Sequence, residues 1–449
     1  KGDVADVVGR LRMNLRAGDD SADLFEGLDG PLVLIADEIT PSDIAQLDWQ
    51  RLAALVTDAG SWTYHTAILA RSIHVPAVAG LHDASGLIAP GALVAVDGLT
   101  GDVFIEPDAE TLAQMTGRQR SRVAFEASLD HFRDLPAVTE DGIEIRLEAN
   151  LEDPRDARRA LERGAAGIGL FRSEFLLASG GTAALSEESQ YESYRQLMEL
   201  TAPGRVTIRT FDVSETAPRT GIPAVDGARA ALGLRGIRLS LLADDVFQAQ
   251  LRALLRAAVH GPLRIMFPFV SGIEQLRAGR AAVGRAAETL RARGETPGVV
   301  EIGVMIEVPS AAMTADLLAR EADFFSIGTN DLIQYCLAVD RTDDRVSDLY
   351  QPLHPAILRT LRLVARAGRR ARIPVAVCGE MAADPALLTL LVGLGLREFS
   401  MTPGTIPLAK QVIRSLNAEE ARQAARRALA GKAAADVEHA LAELLVPHP

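Results

Sequence analysis

The stretch EIGVMIEVPSAAMTADLLAREADFFSIGTND, from Glu301 to Asp331, decides the fold of this chain. Two short apolar runs, EIGVMIEV and FFSIGTND, flank a segment with helical spacing. An apolar run, a helix and a second apolar run are typical of two parallel strands joined by a crossover helix. The stretch therefore predicts one strand–helix–strand unit.

The same alternation recurs along residues 143–416. Eight apolar runs, each followed by helical spacing, end at Asn150, Arg172, Asp212, Val270, Val308, Asp331, Glu380 and Thr402. A weaker candidate around the LRG at 234–236 is left out of this set. Eight strand–helix units in these 274 residues predict a (β/α)8 TIM barrel, a fold that typically takes about 250 residues.

Polar residues at the ends of these runs are the candidate site residues, because such barrels form their sites at the C-terminal ends of the strands. They are Asn150, Arg172, Arg209, Asp212, Glu307, Asn330, Asp331, Cys378 and Glu380. Arginine binds phosphate and carboxylate groups through paired hydrogen bonds, and carboxylates are ligands that suit Mg²⁺. The sequence therefore predicts a site for a small anion and a divalent metal.

The charged candidates also have ordinary structural interpretations. Arg172 and Arg209 could form structural ion pairs with Glu174 and Asp212, since such networks look similar in sequence. Glu307 could be a strand-end carboxylate that caps a neighbouring helix. From the sequence alone, both interpretations stay open.

The uncharged candidates have alternatives as well. Asn330 could donate its amide to a phosphate, or it could be the N-cap of a helix, a role that asparagine favours. Cys378 could be an inert buried thiol, or it could donate a proton to a developing carbanion. Cys336 is predicted to be a core residue on the helix after Asp331.

The first 135 residues follow a different pattern. Residues 1–21 predict one helix, residues 22–107 contain four short apolar runs typical of a small α/β domain, residues 108–135 predict a connecting helix, and residues 136–449 form the barrel domain. His65 starts an apolar helix in the small domain. A helix N-terminus would stabilise a phosphorylated imidazole, although a hydrogen-bonded surface histidine is the ordinary alternative.

Composition excludes several classes of protein. The chain has 449 residues, 48% of them hydrophobic, and a net charge of −13 without a basic run, which argues against a nucleic-acid partner. No apolar stretch reaches the roughly 18 residues of a membrane span. Two cysteines cannot form a disulfide framework, so a reducing cytoplasm is expected.

The scarcity of lysine is more restrictive. Of the 47 basic residues, only Lys1, Lys410 and Lys432 are lysines. P-loop kinases, protein kinases and pyridoxal enzymes need a lysine at their sites, so these classes are excluded over residues 2–409. Phosphate chemistry in this chain must rest on arginine, backbone amides and metal.

Taken in order, eight segments resemble the enzyme I family of the bacterial phosphoenolpyruvate:sugar phosphotransferase system. They are TYHTAILARS (63–72), GIGLFRSEFLL (167–177), RTFD (209–212), ALGLRGIR (231–238), MIEVPSA (305–311), SIGTNDLIQYCLAVDR (326–341), LHPAI (353–357) and VCGEMA (377–382). The resemblance extends from the first helix to about Leu416. The sixteen-residue segment ending at Arg341 is long enough to be highly specific.

The resemblance implies a fold and a mechanism. A swivelling phosphohistidine domain would precede a barrel that binds phosphoenolpyruvate and Mg²⁺, and the phosphoryl group would move to His65 and then to a histidine-containing phosphocarrier protein. The implied proton donor to the enolate is Cys378. The implied substrate ligands are Arg172, Arg209, Arg235, Asn330 and Arg341, and the implied metal ligands are Glu307 and Asp331. A homodimer formed through the barrel is also implied.

The chain departs from the family pattern at three places. Ser61 and Tyr64 replace a glycine and a serine of the usual histidine loop, and VSETA at 213–217 stands where a lysine-containing run is usual. Arg229 and Ala230 replace a common Asn-Pro. These departures bear on the transfer rate and on the affinity for phosphoenolpyruvate. Residues 1–21 would be the last helix of a carrier-docking subdomain, so the chain is expected to be an N-terminally truncated fragment.

Two other interpretations remain open. The chain could be a fragment like pyruvate phosphate dikinase or phosphoenolpyruvate synthase, which share the histidine domain and the barrel. It could also be a non-catalytic paralogue that senses phosphoenolpyruvate, as the altered histidine loop and the missing lysine suggest.

Overall fold

The computed structural model describes residues 31–37, 39, 51–59, 75–180, 185–213, 232–341 and 343–442. The chain divides into two units, the first comprising Lys1–Ala127 with Asp340–Leu349 and the second Ser128–Val339 with Tyr350–Pro449. The predicted helix over residues 1–21 and the predicted site residue His65 lie outside the described residues.

The first unit contains two small sheets. Strands β1 (Leu32–Ala36), β2 (Leu52–Thr57) and β3 (Ala77–Val78) pair in parallel in that order. After the short helix α1 (Ala84–Leu87), β4 (Val94–Asp97) and β5 (Asp102–Ile105) form an antiparallel pair. Val56, Ala84 and Ile88 are buried together between these elements. The long helix α2 (Ala109–Arg133) follows.

Eight parallel strands of the second unit close into a barrel. They are β6 (Arg146–Leu151), β7 (Gly167–Arg172), β8 (Arg205–Arg209), β9 (Leu263–Phe267), β10 (Val300–Ile306), β11 (Phe324–Ile327), β12 (Val375–Val377) and β13 (Glu398–Met401). Neighbours in sequence are neighbours in the barrel, and β13 pairs with β6 to close it. Each strand overlaps one of the eight predicted runs, so the predicted barrel is confirmed.

Helices follow the strands, as the predicted alternation requires. They are α3 (Ala157–Glu162), α4 (Phe175–Gly180), α5 (Glu187–Thr201), α6 (Ile237–Leu242), α7 (Asp244–Ala257), α8 (Ile273–Ala292), α9 (Pro309–Met313), α10 (Ala315–Leu318), α11 (Thr329–Leu337), α12 (Pro355–Ala371), α13 (Pro385–Gly393), α14 (Ile406–Arg414), α15 (Ala418–Ala428) and α16 (Ala434–Ala442). Short 3₁₀ turns occupy Pro154–Asp156, Ala258–His260, Asp344–Leu349, Glu380–Ala382 and Pro403–Thr405. Within the described part of the chain, no helix combines the length and the apolar character needed to cross a membrane.

The barrel interior contains an apolar layer and a charged layer. Leu170, Met266, Met305, Phe324 and Cys378 come from five different strand segments and form one buried cluster. Parallel barrel strands are covered on both faces, which explains why their sequences are continuous apolar runs.

A network of ion pairs joins residues near the N-terminal ends of the strands. Glu148, which is 1% exposed, accepts hydrogen bonds from Arg146 at 2.7 Å and from Arg205 at 3.0 Å. Arg205 also contacts Glu398 at 2.7 Å, and Arg264 approaches Glu398 at 3.4 Å. The network links β6, β8, β9 and β13, at the opposite ends of the strands from the predicted site.

Replacing Glu148 by glutamine should lower the free energy of unfolding by about 3 kcal/mol, because removal of one partner leaves buried charge uncompensated. Chemical denaturation of the full chain measures this loss. Glu192→Gln is the control, since its pairing with Arg195 is largely exposed and should contribute less than about 1 kcal/mol. Equal effects of the two substitutions would contradict a structural role for the network.

Candidate functional site

Three carboxylates meet at the C-terminal end of the barrel. Asp212, Glu307 and Asp331 each offer an oxygen within 4.8 Å of the others. Glu307 follows β10 directly and is 1% exposed, whereas Asp331 lies in the first turn of α11 and is 7% exposed. The structure thus brings together the two predicted metal ligands and adds Asp212, which follows β8 by three residues.

The Glu307 carboxylate is held by the backbone of a neighbouring strand end. Its Oε1 accepts a 2.6 Å hydrogen bond from the N–H of Phe269, so its described partner is this loop amide and not the helix terminus considered above. Phe269 has a φ of 57°, a left-handed conformation that bulky residues rarely adopt. Burial, followed by the charges of Asp331 and Asp212, raises the pKa of Glu307 to about 8.

Arg235 is the cation that contacts this cluster most extensively. Its Nε and Nη2 donate to Asp212 at 3.1 and 2.8 Å, and Nη2 also lies 3.3 Å from Asp331. Its Nη1 donates to the Tyr335 hydroxyl at 3.0 Å, and its guanidinium lies 4.9 Å from the centre of the Phe269 ring. Burial lowers the pKa of Arg235, but the carboxylates outweigh burial and raise it above its ordinary value.

Arg209 and Arg172 end adjacent strands and have different partners. Arg209 forms ion pairs with Glu174 and, at 3.1 Å, with Asp212, and its Nε is a buried donor without a hydrogen-bond partner among the described residues. Arg172 pairs with Glu152 at 2.8 Å. The ion pairs considered from the sequence therefore form for Arg209, but Arg172 takes a different acid. For Arg209, ion pairing and anion binding are compatible, because its Nε remains a donor for an anion.

Asn330 lies in the first turn of α11, and Cys378 directly follows β12. The Oδ1 of Asn330 accepts a 3.0 Å hydrogen bond from the N–H of Glu380. The N-cap of α11 is Gly328, so the helix-cap interpretation of Asn330 is wrong. Cys378 is 3% exposed, and its Sγ lies 3.6 Å from the carbonyl oxygen of Ile327. Burial raises the pKa of Cys378, so this thiol is protonated at neutral pH.

Asn150 and Cys336 differ from their sequence-based interpretations. The Nδ2 of Asn150 donates to the carbonyl of Cys378 at 3.0 Å, and its Oδ1 accepts from Ser400 at 2.6 Å. Asn150 therefore holds the Cys378 backbone. Cys336, expected in the core, is only half-buried on α11.

Two predicted residues do not belong to the unit that contains the barrel. His65 lies outside the described residues. Arg341 belongs to the segment Asp340–Leu349, which is part of the first unit. The roles of His65 as phosphoryl acceptor and of Arg341 as substrate ligand stay predictions.

Two contributors to the site, Phe269 and Tyr335, have no signal in the sequence interpretation. Asp212 is a strand-end candidate there and a possible ion-pair partner, but its place among the metal-binding carboxylates comes from the structure. The segment around Gly236, a weak strand candidate in the sequence, is the turn that places Arg235. Gly236 has a φ of 55°, and a Cβ there would lie 2.7 Å from the Cβ of Phe269, so the turn needs glycine.

The donor set fits a divalent magnesium ion. Three close carboxylates supply hard oxygen ligands, and Mg²⁺ usually takes one or two carboxylates while keeping positions for water and substrate phosphate. The mutual repulsion that contributes to the high pKa of Glu307 is what such a cation would relieve. Beside it, Arg209 and Arg235 offer fixed guanidinium groups. The site can bind a small phosphorylated acid next to a metal.

Comparison with known proteins shows which families and relatives the chain resembles. The family described as "PEP-utilising enzyme, PEP-binding domain" matches residues 126–418, and "PEP-utilising enzyme, mobile domain" matches residues 28–101. The chain is 41% identical over 403 residues to the phosphoenolpyruvate-protein phosphotransferase of Staphylococcus carnosus, covering 90% of this chain and 70% of that protein. It is 40% identical over 391 residues to the protein of the same name from Bacillus subtilis, covering 87% and 68%.

Among solved structures, a solution structure of Enzyme I (nEIt) matches 22% of this chain and 40% of that chain, with 38% identity and a TM-score of 0.21. This overlap is too short to add to the fold. The sequence matches cover both the mobile domain and the phosphoenolpyruvate-binding domain, and they agree with the family resemblance of the individual motifs. The chain belongs to the phosphoenolpyruvate-protein phosphotransferase family, the enzyme I family.

Proposed function

We propose that this chain moves the phosphoryl group of phosphoenolpyruvate to His65, releases pyruvate, and passes the group on to a histidine-containing phosphocarrier protein. The observation that carries this proposal is the meeting of three carboxylates with Arg209 and Arg235 at one end of the barrel. Phosphoryl transfer requires little covalent chemistry from the protein. It needs in-line placement and positive charge around the transferred oxygens.

The domains follow from this assignment. We assign residues 22–107 to the swivelling domain that carries His65 and residues 136–449 to the phosphoenolpyruvate-binding barrel. We assign residues 108–135 to the segment that connects the two, and we propose that residues 1–21 belong to a carrier-docking subdomain. The proposed assembly is a cytoplasmic homodimer formed through the barrel.

Separate sets of residues are proposed to bind the substrate and the metal. Arg172, Arg209, Arg235, Asn330 and Arg341 are the proposed ligands of the phosphate and carboxylate groups. Glu307, Asp331 and Asp212 would hold Mg²⁺, which when bound supplies positive charge beside the spreading phosphate oxygens. The free Nε of Arg209 is suited to an anion because it is already buried and oriented.

Cys378 is the proposed proton donor. When the bond between phosphorus and the enol oxygen breaks, the phosphoryl group forms a bond to an imidazole nitrogen of His65 and leaves the enolate of pyruvate. The methylene carbon of the enolate then takes the thiol proton of Cys378, and the thiolate is reprotonated from water. The raised pKa of Cys378 keeps this proton on sulfur until it is needed.

Replacing Cys378 by alanine should leave phosphoryl transfer in a single turnover largely intact and slow the release of protonated pyruvate by on the order of 10²-fold. Rapid quench of labelled protein, combined with detection of pyruvate, separates the two steps. Cys336→Ala is the matched control, because Cys336 is the other cysteine of the chain and lies on α11. If Cys378→Ala changes neither step, the thiol only fills space.

Radiolabelled phosphoenolpyruvate tests the proposed function as a whole. With Mg²⁺ and no nucleotide, we expect acid-labile label on the chain and an equal amount of pyruvate. Label that appears only when ATP, or AMP with phosphate, is present would instead support the dikinase or synthase interpretation. Binding of phosphoenolpyruvate without any label would support the sensing paralogue.

A further inference from the structure

A network of buried polar side chains lies behind the ends of β7 and β8. Gln250 on α7 is fully buried, and its amide is the centre of the network. Its Oε1 accepts a 3.2 Å hydrogen bond from the N–H of Phe211. Its Nε2 donates at 3.0 Å to the hydroxyl of Ser173 and at 3.0 Å to the hydroxyl of Tyr194.

The hydrogen bonds continue on both sides of Gln250. The Ser173 hydroxyl donates to the carbonyl of Arg209 at 2.6 Å. The Tyr194 hydroxyl donates to Gln190 at 3.1 Å, and the Gln190 amide donates to the carbonyl of Leu185 at 3.0 Å. Ser173, Tyr194 and Gln190 are at most 1% exposed, so these bonds are shielded from water. A fully satisfied buried network of this kind fixes the groups it joins.

The network begins where the backbone hydrogen bonds between β8 and β9 end. The N–H of Thr210 still bonds to the carbonyl of Met266 on β9, at 3.0 Å. One residue later, the Phe211 N–H bonds to Gln250 instead. Asp212 follows immediately, and its carboxylate belongs to the cluster with Glu307 and Asp331. Gln250 is therefore the described side chain that anchors the backbone between the end of the strand and the cluster.

We propose that Gln250 is a positioning residue for the carboxylate–arginine cluster, because its amide fixes the backbone that carries Arg209 and Asp212. The inference rests on the proposed function, since it concerns the metal and anion site described above. Catalytic and binding groups lose function when their supporting shell allows them to move by about 1 Å. Without the Gln250 amide, the Phe211 N–H is a buried donor without a partner. The cost of such a donor favours a shift of this part of the backbone.

Binding of Mn²⁺ alone to the 449-residue chain, followed by electron paramagnetic resonance, tests this role without relying on turnover. Gln250→Met is expected to weaken Mn²⁺ binding about tenfold. Gln248→Met is the matched control, because Gln248 lies on the same helix but donates to Ala282 on α8. Tyr194→Phe removes the arm of the network that points away from the site. Both control variants should bind Mn²⁺ with nearly wild-type affinity, even where they unfold more easily.

The outcomes separate this inference from the proposed function. If folded Gln250→Met binds Mn²⁺ with wild-type affinity, the positioning role is wrong and the proposed function is unaffected. The same conclusion follows if Tyr194→Phe loses as much Mn²⁺ affinity as Gln250→Met. Failure of the wild-type chain to bind Mn²⁺ refutes the metal site itself and this inference with it. Ser173→Ala, a smaller change in the arm that reaches Arg209, is the variant to use if Gln250→Met does not fold. Ser173→Ala should also weaken Mn²⁺ binding. Unchanged Mn²⁺ affinity in this variant would likewise contradict the positioning role of Gln250.

Discussion

Replacing Arg235 by methionine should slow phosphoryl transfer from phosphoenolpyruvate by on the order of 10²- to 10³-fold. The loss of one preorganised hydrogen-bond donor that stabilises a developing negative charge usually has an effect of this size. Arg235 bridges Asp212 and Asp331, and Tyr335 and the ring of Phe269 hold it in place. Methionine keeps much of the volume but supplies no positive charge. Rapid-quench measurement of label on the chain gives the rate.

Metal binding should respond in the opposite direction. Arg235 competes with a cation for the charge of Asp212 and Asp331, so Arg235→Met should bind Mn²⁺ at least as tightly as the wild type. Arg238→Met is the matched control, because Arg238 also lies over the Phe269 ring, at 4.6 Å, but donates to the carbonyl of Gly233. A similar loss of transfer in both variants would show that the ring contact, not the charge, matters.

Replacing Glu307 by glutamine should weaken Mn²⁺ binding by on the order of 100-fold, because it removes one charge and one oxygen ligand from the cluster. The side chain keeps its shape, and its amide oxygen can still accept from the Phe269 N–H. Calorimetry or electron paramagnetic resonance measures the affinity. Glu301→Gln is the matched control, since Glu301 lies on the same strand β10 and pairs with Arg264.

The same substitution should change how stability depends on pH. The pKa of Glu307 in the folded chain is about 8, above its ordinary value of 4.5, so the unfolded chain ionises more easily. The stabilising contribution of neutral Glu307 is complete below about pH 4.5 and is lost as the pH rises through 8. Denaturation of metal-free protein should show this decline in the wild type and a smaller one in Glu307→Gln. Parallel profiles would contradict the burial of an ionisable group at this position.

The barrel was predictable because its strands are continuous apolar runs, which parallel strands buried on both faces require. Element ends were less predictable. The run that ends at Asp331 contains a strand that stops at Ile327, and Asp331 belongs to the following helix. The strand Asp102–Ile105 was not predicted, because its four residues are half-exposed and too few to show a period.

The candidate site could be predicted only in part. Glu307 and Asp331 follow consecutive apolar runs, so their approach to each other follows from the barrel topology. The contribution of Asp212 depends on how the chain leaves β8, and the position of Arg235 depends on the left-handed turn at Gly236. Neither is visible as a period of apolar residues. Long-range contacts such as that between Gln250 and Phe211 carry no local signal at all.

Anomalous X-ray diffraction from crystals containing Mn²⁺ and phosphoenolpyruvate would test the central claim most directly. We expect one strong manganese peak among the carboxylates of Asp212, Glu307 and Asp331. The substrate phosphate should lie beside it, in contact with Arg209 or Arg235. A peak at another place, or phosphoenolpyruvate bound away from these two arginines, would contradict the claim that the strand ends build one site for metal and substrate.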